Sequence, residues 1–180
     1  MKLGYNVATT KENATLQQEL ELCDKHGYDF IEIQMDKMPE YLQEHTLEDM
    51  KAFFDTHNIK PLSLNALQFF NNRTDEDYRK VLDEFKEWLE IADYLGAKYI
   101  VLVPLVTETK ILNQDIHDSC VSVMTEFAEL AEPYHIKIAL EFLGAPFATV
   151  NTFEQAYEIV EDVAKANVGL VLDFFHFHAM

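Results

Sequence analysis

The sequence has 180 residues, 48% of them hydrophobic, so it is long and apolar enough to fold around a core. Fourteen basic against 32 acidic residues give a formal net charge of −18, which disfavours nucleic acids and anionic membrane surfaces as partners. Two cysteines cannot form a disulfide framework, and no apolar run approaches the roughly 20 residues that span a bilayer. We therefore expect one cytoplasmic domain over residues 1–180, with Cys23 and Cys120 reduced and buried.

Strand-length apolar runs alternate with helical patterns along the whole chain. The six runs are Lys2–Val7, Asp29–Ile33, Lys60–Leu64, Tyr99–Val103, Lys137–Glu141 and Val168–Asp173. One pattern with apolar residues every three or four positions lies between each pair of consecutive runs. Capping-box patterns predict helix N-termini at Thr15, Thr46, Thr74 and Thr152. Gly27 and Gly96 follow helical patterns, where left-handed C-terminal caps are expected.

This alternation predicts an α/β fold with a parallel sheet. The runs begin about 33 residues apart, from residue 2 to residue 168 over five intervals, close to the roughly 31 residues of each unit in a (β/α)8 TIM barrel. We expect the first six strands of such a barrel, with five intervening helices. Three alternatives stay open: a fragment of a longer chain, a natural truncation, or a complete six-stranded doubly wound sheet.

Polar side chains occupy the carboxyl ends of these strands, where parallel α/β folds place their functional sites. The expected group is Asn6, Glu32, Gln34, Asn65, Glu141 and Asp173. Carboxylates on apolar strands are costly unless they are paired or bind a metal. The only arginines, Arg73 and Arg79, lie elsewhere in the sequence, and no lysine is expected to follow these strand ends closely. A divalent cation is therefore the better partner for Glu141 and Asp173.

Two further features of these strand ends carry weaker expectations. Glu32 either joins a metal or accepts hydrogen bonds within a polar layer of the barrel. The segment after Asp173 alternates histidines with aromatic residues, so His176 and His178 are expected to point to the same side. His176, which completes an Asp-x-x-His pattern, is the stronger candidate for contact with a metal or substrate.

Several stretches of the sequence resemble a known superfamily. Residues 27–33, 138–142 and 168–178 are similar to the xylose isomerase-like sugar isomerase and epimerase barrels. Residues 36–42, 69–73 and 149–157 resemble the bacterial inosose (2-keto-myo-inositol) isomerases. The resemblance runs along all 180 residues.

The resemblance implies a metal-dependent enzyme of myo-inositol catabolism. Its one divalent metal is held by a Glu on strand five, an Asp on strand six, a His on strand seven and a Glu on strand eight. Glu141 and Asp173 match the first two ligands, and the last two would lie beyond Met180. We therefore expect the 180-residue chain by itself to lack the complete set. Mn, Co, Mg and Zn all accept such ligands.

The chemistry expected of this family is the isomerisation of a ketose or polyol ketone by proton transfer through an enediolate. Glu141 would bind the metal and act as the base, and His176, which matches a substrate-contacting histidine, would donate to a substrate oxygen. Asn6, Glu32, Gln34 and Asn65 would contact hydroxyl groups. The partner is thus a small polyol ketone, and a homo-oligomer is left open.

Two other functions stay open from the sequence. A non-catalytic truncated barrel could bind a polyol, or a partner chain through its open strand edge. An apurinic endonuclease-like enzyme belongs to a related group, but it is disfavoured by the net charge of −18. The ends of strands three and four also lack the extra histidines that such an enzyme uses for zinc.

Overall fold

The computed structural model describes all 180 residues, which form six strands hydrogen-bonded in chain order. The strands are β1 (Gly4–Tyr5), β2 (Phe30–Gln34), β3 (Lys60–Gln68), β4 (Tyr99–Val103), β5 (Lys137–Glu141) and β6 (Val168–Val171). A doubly wound sheet reverses its strand order at a switch point, and this sheet does not. The doubly wound alternative is therefore wrong, and the order is that of a TIM barrel wall.

Seven α-helices accompany the strands. They are α1 (Leu16–Lys25), α2 (Met38–Glu44), α3 (Leu47–Thr56), α4 (Asp75–Leu95), α5 (Asn113–Ala131), α6 (Phe153–Val163) and α7 (Phe174–Ala179). Short 3-10 helices cover Val7–Thr9, Lys11–Asn13, Met35–Lys37 and Glu132–Tyr134. Five intervening helices were predicted and six are present, because two lie between β2 and β3; a seventh helix, α7, follows β6.

The segment between β2 and β3 holds two helices because its local signals break it in the middle. Pro39 lies in the first turn of α2, where a missing amide hydrogen costs nothing. His45 and Thr46 then adopt extended backbone angles, and Thr46 forms a capping box with Asp49 that starts α3. The predicted cap at Thr46 is thus confirmed, but it starts a second helix.

The other predicted caps are also present. Thr15 and Thr152 each form a reciprocal capping box with the Gln three residues later. Thr74 Oγ1 accepts a hydrogen bond from the Asp77 amide at 3.2 Å. Gly27 and Gly96 have φ angles of +74° and +87°, which glycine adopts at little cost after a helix.

The chain divides into two compact units according to the contacts between its residues. That residues 1–180 form a single domain stays a prediction. The first unit comprises Met1–Asn65 and Glu90–Tyr99. In it β2 pairs in parallel with β1 and β3, and the register against β3 shifts by one residue directly after Pro61, which lacks an amide hydrogen. Its fully buried side chains include Leu20, Ile31, Ile33, Met50 and Phe54.

The second unit comprises Ala66–Leu89 and Ile100–Met180. Here β5 and β6 pair in parallel from Ile138 opposite Val168 to Glu141 opposite Val171. The rings of Phe85 and Phe127 stack at a centroid distance of 4.0 Å, and both are fully buried. None of the helices in the structure is long and apolar enough to cross a membrane.

A buried ion pair in the first unit gives a stability prediction. Lys37 Nζ lies 2.6 Å from Glu19 Oε1, and Glu19 has no exposed surface. Lys37→Met should lower the free energy of unfolding by about 3–5 kcal/mol, because it leaves a buried carboxylate without its cation. Urea denaturation measures the change.

The matched control is Lys51→Met, which removes a pair of the same length on the surface of α3, between Lys51 and Asp55. Exposed pairs contribute only about 0–1 kcal/mol. A loss for Lys37→Met no larger than the loss for Lys51→Met would contradict the structural role of the pair.

The two cysteines give a second prediction. Both are free and buried, as expected, and burial raises the pKa of each thiol to about 12, with the Glu19 charge adding to the effect at Cys23. Iodoacetamide at pH 8 should therefore leave the folded protein unmodified, since it reacts with the thiolate. In urea both thiols should be alkylated, and rapid alkylation of the folded protein would contradict their burial.

Candidate metal centre

Three side chains of the second unit that could ligate a metal lie together. Glu141, Asp173 and His176 each offer one ligand atom, and these atoms lie within 4.8 Å of one another. All three residues are partly buried. The sequence predicted each of them, and the structure brings them into one cluster.

Strand pairing accounts for two members of the cluster. Glu141 is the last residue of β5 and lies opposite Val171, the last residue of β6. Asp173 follows two residues later, so both carboxylates emerge at the same edge of the sheet. The parallel direction of the strands thus places Glu141 and Asp173 close together without any long loop.

The Asp173 side chain also starts the helix that carries the third member. Its Oδ1 accepts a hydrogen bond from the Phe175 amide at 2.7 Å, which makes Asp173 the N-cap of α7. The chain therefore turns into a helix directly after β6 and brings His176 back toward the carboxylates.

This turn corrects one prediction. The sequence pattern predicts a strand up to Asp173, followed by His176 and His178 pointing to the same side. In a helix, residues two apart point about 200° from each other around the axis. Only His176 belongs to the cluster, because the capping side chain of Asp173 ends the extended segment first.

The donor set fits a divalent metal. Two carboxylates and one imidazole suit zinc, manganese or cobalt. Zinc bonds to such atoms are about 2.0–2.2 Å long, so donors within 4.8 Å need only small side-chain rotations to reach one ion.

The remaining predicted site residues belong to the first unit, where three of them form a hydrogen-bond network. The Asn6 and Asn65 amides both donate to Glu32 Oε2, at 3.1 and 3.4 Å. Asn65 was predicted to lie at the end of β3. It lies within that strand, because the strand continues to Gln68. It is nevertheless level with Gln34 at the end of β2. For Glu32, the network favours the alternative of hydrogen bonding within a polar layer.

Gln34 lines a cavity of about 660 Å³ together with Val7, Lys11 and Lys37. Its Oε1 is buried and has no hydrogen-bond partner. A buried acceptor without a hydrogen-bond partner carries a desolvation cost.

Two further residues, Lys37 and Gly144, lie near the predicted ones. Lys37 lies three residues after β2, and its ammonium group pairs with Glu19. The prediction that no lysine follows these strand ends closely is therefore wrong for β2. Gly144, three residues after Glu141, contacts the helix of His176.

The chain belongs to the xylose isomerase-like TIM barrel family, whose model matches residues 20–180. It is 60% identical to the inosose isomerase of Bacillus subtilis (strain 168), over 100% of this chain and 65% of that protein. The inosose isomerase of Halalkalibacterium halodurans is also 60% identical, over 100% of this chain and 64% of that protein. The resemblance found in the sequence is thus confirmed.

A solved structure is similar to this chain in both sequence and fold. The crystal structure of the IOLI protein with a bound zinc atom has a TM-score of 0.98 and 60% identity, covering 100% of this chain and 65% of that one. The barrel-type fold predicted from the sequence is confirmed. The chain spans about 65% of the length of the curated relatives it matches.

Proposed function

We propose that this chain belongs to a metal-dependent isomerase that acts on a polyol ketone, as the names of its inosose isomerase relatives suggest. The observation that carries the proposal is the cluster of Glu141, Asp173 and His176 at the carboxyl ends of β5 and β6. This is the edge at which barrel enzymes of the family's fold place their chemistry. A cytoplasmic location and a place in inositol catabolism are part of the proposal.

Glu141 and Asp173 would hold one divalent metal, for which zinc is favoured by the IOLI structure. Manganese, cobalt and magnesium accept the same donors. When bound, the metal supplies a positive charge that polarises carbonyl and hydroxyl oxygens of the substrate.

The residues of the chain would then move one proton. Glu141 would take the proton from the hydroxyl-bearing carbon next to the carbonyl, which leaves negative charge on the oxygens of an enediolate. Return of a proton to the former carbonyl carbon, with transfer of the hydroxyl proton from one oxygen to the other, would complete the isomerisation. The imidazole of His176 would donate a hydrogen bond to one of these oxygens. Hydrogen-bond donors aimed at developing charge are among the largest contributions to catalysis.

Asn6, Gln34 and Asn65, with Glu32, would contact the hydroxyl groups of the substrate. Their support is chemical: amides and a carboxylate both donate to or accept from hydroxyls. Asn6 follows β1 and Gln34 ends β2, while Glu32 and Asn65 lie within β2 and β3. The negative charge of the chain fits a neutral polyol better than a phosphorylated one or a nucleic acid.

The first test is hydrogen exchange. In deuterated water the zinc-loaded protein should exchange the hydrogen next to the carbonyl of 2-keto-myo-inositol, as followed by proton NMR. Glu141→Gln should slow the exchange by about 100- to 10,000-fold, because the amide cannot accept the proton.

The control for this variant is Glu158→Gln, which changes an exposed carboxylate of α6. Exchange by that variant should match the unmodified protein. Equal exchange rates for Glu141→Gln and Glu158→Gln would overturn the assignment of Glu141 as the base.

The second test separates the metal ligand from the substrate contact. Asp173→Asn keeps a good helix N-cap but loses the carboxylate, so zinc affinity should fall by more than about 100-fold, beyond the 10–100-fold effect of residues that only support ligands. His176→Ala should retain most of the zinc affinity and lose about 100- to 1,000-fold in exchange rate.

Competition with a chromophoric chelator measures the zinc affinity of both variants. If His176→Ala lost as much zinc affinity as Asp173→Asn, then His176 would be a third metal ligand and its proposed role toward the substrate would be wrong.

A further inference from the structure

Gly144 faces the backbone of the helix that carries His176. It lies in the loop after β5, three residues beyond Glu141. A Cβ atom at this position would overlap the carbonyl oxygen of His176 and lie 2.9 Å from the amide nitrogen of Met180. These are backbone atoms of α7 and its C-cap, so they cannot rotate aside as the end of a flexible side chain can.

The same two backbone atoms form a hydrogen bond of α7. The Met180 amide donates to the His176 carbonyl at 3.2 Å. A methyl group on Gly144 would thus press against both partners of this bond and also against Ala179 Cβ, at 3.0 Å. Relief requires α7 to move away from the β5 loop.

A left-handed backbone conformation is not what favours glycine at position 144. Gly27 and Gly96 have positive φ angles, whereas Gly144 lies outside that region. The feature that a side chain at Gly144 would disturb is therefore the close contact with α7.

Contacts between aromatic side chains also join the loop after β5 to α7. The rings of Phe142, Phe153 and Phe177 lie 6.0–6.5 Å apart in edge-to-face arrangements. Phe142 directly follows Glu141, and Phe177 directly follows His176. The close approach at Gly144 and this aromatic cluster therefore hold Glu141 and His176 next to each other in the candidate metal centre.

We infer that Gly144 is a positioning residue: its missing side chain lets α7 approach the β5 loop closely enough for His176 to stand beside Glu141 and Asp173. The consequence for metal binding and substrate contact rests on the proposed function. The packing of α7 against Gly144 does not.

The test compares Gly144→Ala with Gly169→Ala. A Cβ atom at Gly169, in β6, would meet nothing within 4 Å, and its φ is also outside the left-handed region. The second variant is therefore a matched control in the same unit, close to the same site.

The first readout needs no metal. Two-dimensional amide NMR spectra of Gly144→Ala should show shifted signals for residues 174–180 and unchanged signals in the core. Gly169→Ala should leave residues 174–180 unchanged. Because the contact is confined to α7 and its C-cap, loss of signal dispersion across the whole of Gly144→Ala would overturn the inference, as would unshifted α7 signals.

The second readout is the exchange rate of the hydrogen next to the carbonyl of 2-keto-myo-inositol in deuterated water. Gly144→Ala should lower this rate about tenfold or more, because it displaces His176, while Gly169→Ala keeps the original rate. Equal rates for both variants would overturn the positioning role. If the unmodified protein catalyses no exchange, the proposed function fails, and the α7 signals alone decide whether Gly144 holds His176.

Discussion

The register between β5 and β6 is the constraint on which the candidate metal centre depends. Glu141 lies opposite Val171 at the end of both strands. Asp173 comes two residues after Val171, so its carboxylate lies close to that of Glu141. In parallel strands the side-chain period is two, and a slip by one residue would turn Glu141 to the other face of the sheet. The buried aliphatic residues Ile138 and Leu140 oppose such a slip, because it would turn them to the face that carries Ala139 and Glu141.

Three buried or partly buried carboxylates of this chain have three different kinds of polar partner. Glu19 is fully buried and pairs with Lys37. Glu32 is partly buried and accepts hydrogen bonds from two asparagine amides. Glu141 stands in a cluster with a second carboxylate and an imidazole, a set of donors that suits a cation. The same desolvation cost thus leads to an ion pair, a hydrogen-bond network and a candidate metal centre, according to the neighbours that the fold supplies.

The sequence predicted the strands and the site best where a periodic pattern or a short motif sets the structure. β4 and β5 have the predicted bounds, and Glu141 and Asp173 follow from strands that are apolar up to a terminal carboxylate. The prediction failed after β6, where the capping side chain of Asp173 outweighs the extended preference of the aromatic residues and starts α7. Gly144 could not be predicted at all, since its role depends on a contact with residues more than thirty positions later.

The central claim is that Glu141, Asp173 and His176 form one metal centre. Crystals grown with zinc and measured on both sides of the zinc absorption edge test it most directly, because an anomalous difference map locates the metal without reference to any residue. We predict one strong peak within about 2.0–2.2 Å of carboxylate oxygens of both Glu141 and Asp173, with His176 facing it. A map with no peak there, or with zinc bound only elsewhere on the acidic surface, would contradict the account.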